Sequence, residues 1–225
     1  MTDALRVREP VSAASLRITE IFLSIQGEST SVGWPTVFVR TTGCPLRCSY
    51  CDTAYAFSGG STRSLHSIVD EVGSYDVRHV TVTGGEPLAQ GATLTLLRLL
   101  CDVGYRVSLE TSGALDLATV DARVMKVVDI KTPASGEVAR NRWANLAHLA
   151  APDQLKFVIC DRGDYEWSRA RVAELGLAPD IEVLFSPSHD QLPAATLAEW
   201  ILADRLAVRL QTQLHKYLWG NEPGR

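Results

Sequence analysis

The 225-residue sequence has no long hydrophobic run and little excess of charge of either sign. No apolar run approaches the roughly 20 residues that a helix needs to cross a bilayer. The net charge of −4 provides no overall basic field of the kind that general nucleic-acid binding requires. Residues 1–14 include four charged side chains and no apolar stretch typical of a secretion signal. We therefore expect a cytoplasmic protein that binds neither a membrane nor nucleic acid.

Cysteines are few, and their number is odd. Five occur, and with no secretion signal an odd number argues against a disulfide framework. Cys101 lies in an apolar helical pattern and Cys160 ends an apolar strand, so both are predicted to be buried small hydrophobic residues. The other three fall within eight residues, at 44, 48 and 51, and need a separate explanation.

The sequence also lacks low-complexity segments and linkers that would divide it. We predict one domain over residues 16–225, with a flexible leader at 1–15. A hydrophobic fraction of 46% and a charged fraction of 21% are ordinary for a soluble domain with a sizeable core.

Short β-branched runs alternate with amphipathic helical patterns along the chain. The predicted strands are 18–25, 36–42, 79–83, 106–110, 124–130, 155–159, 181–185 and 207–210. The predicted helices are 65–72, 93–103, 164–175 and 196–204. This alternation indicates an α/β fold with parallel strands joined by right-handed crossovers, in a doubly wound sheet or a barrel. Because a closed eight-fold barrel takes about 250 residues, we predict an incomplete, modified (β/α)6 barrel of the TIM type.

Polar residues follow four of the predicted strands, at 83–87, 110–113, 129–131 and 186–189. The carboxyl ends of parallel strands meet at one edge of a sheet. The sequence therefore predicts one composite site at that edge.

The three clustered cysteines have the spacing C-x3-C-x2-C on a loop that follows an apolar strand. Gly43 and Pro45 disfavour regular structure there. A structural zinc site normally has four ligands, and no fourth Cys or His occurs at a convincing spacing. A [4Fe–4S] cluster has four irons, so Cys44, Cys48 and Cys51 would leave one iron open for a small molecule. We predict such a cluster; a zinc site and unligated thiols are the alternatives.

With Tyr50 just before the last cysteine, and Thr83-Gly84-Gly85-Glu86-Pro87 some 40 residues later, the loop resembles the radical S-adenosylmethionine (SAM) superfamily. That resemblance implies that the open iron binds the methionyl amine and carboxylate of SAM. One electron from the cluster then breaks a C–S bond and yields a 5′-deoxyadenosyl radical.

A closer resemblance, from Ile21 to Trp219, is to the 7-carboxy-7-deazaguanine synthases of the queuosine and 7-deazapurine pathways. It rests on the segments 21–29, 37–40, 51–53 and 110–113, and on 213–216 with Trp219. Ser29 replaces a glycine that is usual in the first segment. The resemblance implies conversion of 6-carboxy-5,6,7,8-tetrahydropterin to 7-carboxy-7-deazaguanine, with ring contraction and loss of ammonia. It also implies Mg²⁺, regeneration of SAM at each turnover, a homodimer and a flavodoxin- or ferredoxin-type electron donor.

Carried over by position, the family's substrate residues are Ile25, Gln26, Gly27, Glu28, Arg40, Thr83, Glu110 and His215. Those implied for SAM are Tyr50, Cys51, Asp52, Gly84, Gly85, Glu86, Asp129, Ile130, Lys131, Ser186, Pro187, Ser188 and His189. Thr53 would ligate Mg²⁺. No side chain is predicted to be catalytic, since the SAM-derived group would carry the radical.

Each role has a plainer structural alternative. Residues 26–28 could be a plain turn after a strand, and Glu110 could be a strand-end carboxylate in a salt bridge. Thr53 could cap a turn, Arg40 could be a strand-edge arginine and His215 could be a packing residue. Lys156 could face the site from the centre of its strand. For the whole protein, the alternatives are a radical SAM activase, which forms a glycyl radical on a partner protein, and a non-catalytic zinc or cluster module.

Overall fold

The computed structural model describes residues 14–222 and 224–225, so nearly all of the predicted leader lies outside the described residues. The strands are β1 (Ser15–Ile25), β2 (Pro35–Thr41), β3 (Ser61–Ser64), β4 (His79–Gly84), β5 (Arg106–Thr111), β6 (Met125–Ile130), β7 (Gln154–Ile159), β8 (Glu182–Pro187) and β9 (Arg209–Leu210). The α-helices are α1 (Leu65–Ser74), α2 (Thr93–Val103), α3 (Arg162–Leu175), α4 (Ala194–Asp204) and α5 (Leu214–Trp219).

All nine strands form one sheet in the order β3-β1-β2-β4-β5-β6-β7-β8-β9. Along the part of this order that runs β2-β4-β5-β6-β7-β8-β9, every neighbouring pair is parallel. Strands β3 and β9 form the two edges of the sheet. This is the predicted partial TIM-type barrel, and that prediction is confirmed. The expectation of parallel strands is wrong for β1, which runs antiparallel to both β2 and β3. The short connection at 26–34 allows only an antiparallel return.

Alternation along the strands separates the hydrophobic core from the interior of the barrel. Val80 and Val82 of β4 are fully buried in a core cluster with residues of α1 and α2, whereas Thr83, on the other face of the strand, lines a cavity. A second core cluster joins the later strands to α3 and α4. The apolar residues whose spacing predicted the helices form the faces that pack into these two clusters. Helix α2 has the predicted bounds.

Two elements were not predicted. β3 consists of four polar residues, so it has no apolar alternation, and α5 is only six residues long. Between β6 and β7 the crossover contains three short 3-10 helices instead of an α-helix. Cys101 and Cys160 are half-buried, so the prediction of full burial was wrong for both. Among the described residues, no helix has the length and apolar character to span a bilayer.

Candidate active site

A cavity of about 570 Å³ lies at the carboxyl edge of the parallel strands. The structure brings all four polar strand ends to this cavity, together with the cysteine loop. The predicted residues that line it on the substrate side are Ile25, Gln26, Glu28, Arg40, Thr83, Glu110 and His215. Those from the cysteine loop are Cys44, Cys48, Tyr50, Cys51, Asp52 and Thr53. The others are Gly84, Gly85, Asp129, Lys131, Ser186, Pro187, Ser188 and His189.

Three predicted residues, Gly27, Glu86 and Ile130, do not line the cavity. Ile130 packs in the core cluster between the sheet and α3. Gly27 lies against His215 so closely that a β-carbon would collide with the imidazole ring. This close packing holds His215 beside the loop at 26–34, and the predicted contact of Gly27 with the substrate stays a prediction.

Glu86 is completely buried, and protein groups take up both of its carboxylate oxygens. Thr111 Oγ1 donates to it at 2.9 Å, the amide of Ser112 at 2.8 Å and the amide of Leu88 at 3.0 Å. The carboxylate thus ties the turn after β4 to the end of β5. This geometry gives no support to the predicted contact between Glu86 and the SAM amine, which stays untested.

The two glycines before Glu86 allow the cysteine loop to approach the end of β4. A side chain at Gly84, where φ is 144°, would collide with the backbone of Thr41, and one at Gly85 would collide with that of Gly43. The amide of Gly85 donates to Thr41 at 3.1 Å and that of Glu86 to Gly43 at 2.8 Å. The two motifs that carry the resemblance are therefore joined through their backbones.

The three loop cysteines are half-buried and face the cavity. In the described part of the chain, no three His, Cys, Asp or Glu side chains converge as ligands of a single metal ion. A zinc site would need such convergence, whereas a cluster binds each cysteine to a different iron. The loop therefore fits a cluster better than zinc.

The floor of the cavity contains an ion pair between the loop at 26–34, which joins β1 to β2, and strand β7. Lys156 Nζ lies 2.6 Å from Glu28 Oε2, and Gln213 Nε2 donates to Glu28 Oε1 at 2.8 Å. Burial alone would raise the pKa of Glu28, but the charge and hydrogen bond of Lys156 outweigh it and lower that pKa to about 2. The alternative that Lys156 faces the site is therefore the observed arrangement.

Glu110 lies beside this ion pair, and none of the described residues forms an ion pair with it. Its described hydrogen-bond partners are uncharged: Thr83 Oγ1 at 3.0 Å and Gln26 Nε2 at 3.4 Å. Burial, followed by the negative charge of Glu28, raises the pKa of Glu110. A carboxylate in this position can accept further hydrogen bonds from a ligand in the cavity.

Arg40 forms part of the cavity wall and is held by two residues that the sequence did not indicate. Arg40 Nε donates to Glu20 Oε1 at 2.6 Å, and the Tyr55 hydroxyl donates to the same oxygen at 2.8 Å. The guanidinium also lies over the rings of Phe22 and Tyr55. Glu20 comes directly before the first family segment, at 21–29, and this position was the available signal for it.

On the opposite wall, Lys131 Nζ donates to Asp129 Oδ2 at 2.9 Å, and Asp129 Oδ1 is buried with no hydrogen-bond partner among the described residues. Such an oxygen needs a donor from a ligand. Ser186 and Ser188 are buried nearby in the cavity lining, whereas His189 is exposed and contacts Asp190. This wall can accept hydrogen bonds from the hydroxyl or ammonium groups of SAM, so it fits that cofactor.

Thr53 is at the capping position of the 3-10 helix Ala54–Phe57, but its side chain makes no capping hydrogen bond. Within the described part of the chain, its hydroxyl has only long contacts, 3.4 Å to Asp52 Oδ1 and 3.9 Å to Cys51 Sγ. The capping alternative is therefore not supported, and the hydroxyl remains available to the cavity.

Comparison with known proteins agrees with this arrangement. The model of the Radical SAM superfamily matches residues 38–129. A 7-carboxy-7-deazaguanine synthase of Chlorobaculum tepidum is 46% identical over 92% of this chain and 95% of its own length. A 7-carboxy-7-deazaguanine synthase of Koribacter versatilis is 43% identical over 92% of this chain and 98% of its own length. The crystal structure of QueE from Escherichia coli, at 24% identity, shares the fold with a TM-score of 0.70 and covers 89% of this chain and 95% of its own.

The fold and the cysteine loop define a radical SAM enzyme, with a [4Fe–4S] cluster and SAM as its cofactors. At these levels of identity and coverage, the chain belongs to the 7-carboxy-7-deazaguanine synthase family. The predictions of superfamily and family are confirmed. The relatives do not favour the alternative of an activase.

Proposed function

We propose that this cavity binds 6-carboxy-5,6,7,8-tetrahydropterin and converts it to 7-carboxy-7-deazaguanine, with contraction of the ring and loss of ammonia. Glu110 carries the proposal, because it is a largely buried carboxylate whose described partners are uncharged and which faces a cavity bounded by the cysteine loop. The adjacent N–H and NH₂ groups of a pterin offer two parallel donors that one carboxylate accepts.

The neighbouring residues complete a pterin site in this proposal. Thr83 and Gln26 already contact Glu110 and hold it in place. Arg40, whose Nε is engaged by Glu20, keeps its two terminal nitrogens for the substrate carboxylate. Burial lowers the pKa of His215, so a neutral imidazole faces the ligand.

Cys44, Cys48 and Cys51 would hold the cluster, and Gly85, Asp129 and Ser188 would contact SAM. When bound, the cluster and SAM supply the radical chemistry. The residues of the chain bind and orient the substrate and exclude water from the cavity. Thr53 would give one oxygen ligand to Mg²⁺, which keeps several waters and can take another oxygen from the substrate carboxylate.

We extend the proposal to the partners of the enzyme. A flavodoxin- or ferredoxin-type protein would reduce the cluster, the chain would form a homodimer, and it would act in the cytoplasm. Reduction of the cluster by a purified flavodoxin or ferredoxin, followed by its absorbance, tests the first point. Sedimentation equilibrium tests the second, and fractionation of cells that express the protein tests the third.

The direct test is anaerobic incubation of the reconstituted protein with reductant, SAM, Mg²⁺ and the carboxytetrahydropterin. Formation of 7-carboxy-7-deazaguanine and ammonia is expected, and neither should form without SAM. If 5′-deoxyadenosine accumulates while the pterin stays unchanged, the protein is a radical SAM enzyme but the proposed substrate is wrong.

A further inference from the structure

Lys156 occupies the floor of the cavity, and the family resemblance gives it no role. It lies on β7 directly beside Asp129 of β6, and both side chains point into the cavity. The side chains of Lys156 and Glu28 are only 14% and 13% exposed, and their charged atoms are 2.6 Å apart. Lys156 is therefore a cation inside the site rather than on its rim.

We propose that Lys156 is a positioning residue for the substrate: it holds Glu28 as a fixed, ionised acceptor beside Glu110, so that the floor presents two carboxylates to the donor groups of the pterin. The inference rests on the proposed function, since it concerns how this cavity holds the pterin. In this role Lys156 acts through Glu28, which engages one donor of its ammonium group at 2.6 Å.

The hydrogen bonds of Glu28 support this role. Its two oxygens are held separately, one by Lys156 and the other by Gln213, while Gln26 Oε1 accepts from its backbone amide at 3.0 Å. These contacts fix the plane of the carboxylate. Each oxygen can accept one further hydrogen bond, so a ligand can still bind to it.

Charge gives a second line of support. The titratable or charged groups that face this pair are Glu110 on β5, His215 on α5, Asp129 on β6 and Lys131 directly after β6, with Arg40 on β2 acting on Glu110. Without Lys156, Glu28 would be a buried carboxylate beside a second carboxylate. Burial and repulsion would then raise its pKa and favour a protonated Glu28 at neutral pH.

The test compares Lys156→Met with the wild type in pterin binding. The enzyme is reconstituted with its cluster, SAM and Mg²⁺ but no reductant, so the carboxytetrahydropterin binds without turnover. Its Kd is measured by anaerobic calorimetry from about pH 6 to about pH 9. At about pH 6, we expect the Kd of the variant to be at least about tenfold higher than that of the wild type. The ratio of the two Kd values should shrink as pH rises and Glu28 ionises.

Two further variants separate positioning from structural damage. Lys156→Met/Glu28→Gln removes both charges, so the ratio of its Kd to that of the wild type should lose this pH dependence. It should also fold where the single variant does not, because replacing both members of a buried ion pair is tolerated better than removing one. Lys126→Met is the matched control. Lys126 Nζ lies 2.8 Å from Asp153 in another buried ion pair, but neither residue lines this cavity. That control should be less stable than the wild type yet bind the pterin normally.

Three outcomes would overturn part of this account, and they are distinguishable. If Lys156→Met behaves as Lys126→Met does, Lys156 is only structural. If it binds the pterin normally and only kcat falls, Lys156 acts on the reaction and not on Glu28. If the wild-type enzyme does not bind the pterin, the proposed function itself fails.

Discussion

Arg40 donates from Nε to the carboxylate of Glu20 at 2.6 Å, across the antiparallel pair formed by β1 and β2. The two residues face each other in the register of the strands, and the Tyr55 hydroxyl completes the contact by donating to Glu20 at 2.8 Å. Glu20 thus engages Nε of Arg40, a residue that lines the cavity.

We expect Arg40→Lys to reduce kcat/KM for the pterin by at least about tenfold, since an ammonium cannot donate to Glu20 and to a substrate carboxylate with the same geometry. Tyr55→Phe removes one hydrogen bond and leaves the ion pair, so a loss of at most a few-fold is expected. Steady-state assays of product formation check both variants. If Arg40→Lys keeps full activity, Arg40 only joins β1 to β2.

Three variants of the cysteine loop should each abolish the cluster: Cys44→Ala, Cys48→Ala and Cys51→Ala. Each change would leave a second iron of the cluster without a protein ligand. Cys101→Ala and Cys160→Ala are the controls, since neither residue lines the cavity. Iron and sulfide analysis after anaerobic reconstitution is the measurement. Normal iron loading in any of the first three variants contradicts the assignment of the cluster.

Thr53→Ala should raise the Mg²⁺ concentration needed for half-maximal activity more than it weakens SAM binding. The hydroxyl makes no capping hydrogen bond, so its loss should barely affect folding. Thr53→Ser keeps the oxygen and should behave like the wild type. A magnesium titration of activity decides the matter, and an unchanged magnesium requirement in Thr53→Ala removes Thr53 from the metal site.

The strand ends were predictable from the sequence, but which side chains face the cavity was only partly so. Glu86 comes just after β4 and Glu110 lies near the end of β5, yet Glu86 turns toward Thr111 and Ser112 while Glu110 faces the cavity. That choice depends on contacts with β5, more than 20 residues away, which the local pattern does not contain. Likewise, the ion pair of Lys156 depends on the path of the 26–34 loop across the barrel, where Thr30 donates from its amide to Gln154 at 3.0 Å.

Glu86 therefore provides a test that separates the resemblance from the geometry. Glu86→Ala leaves four donor groups unpaired in a fully buried site: the Thr111 hydroxyl, the amide and hydroxyl of Ser112 and the amide of Leu88. The free energy of unfolding should therefore fall by about 3 kcal/mol or more. Glu71→Gln, which removes the partly exposed ion pair with Arg63, should cost less than about 1 kcal/mol. Anaerobic urea denaturation measures both. If Glu86→Ala stays stable but loses SAM affinity, the contact with the SAM amine is restored as the correct interpretation.

Glu110 should recognise the guanidine-like edge of the pterin. Glu110→Gln keeps the shape of the side chain but turns one acceptor into a donor, which would face the N–H or NH₂ of the substrate. This mismatch should lower kcat/KM at least about tenfold, equivalent to about 1.4 kcal/mol. Cluster content and SAM affinity are the controls, and both should stay as in the wild type, because Glu110 contacts Thr83 and Gln26 rather than the cysteine loop.

The pH profile makes the same prediction more specific. Burial and the charge of Glu28 raise the pKa of Glu110, so its carboxylate forms only above the usual range for a glutamate. Because the ionised form is the acceptor, kcat/KM of the wild type should rise with pH through that raised pKa. Glu110→Gln has nothing to ionise and should lose this limb of the profile. A variant that keeps both full turnover and the limb would show that another group titrates and that Glu110 does not hold the pterin.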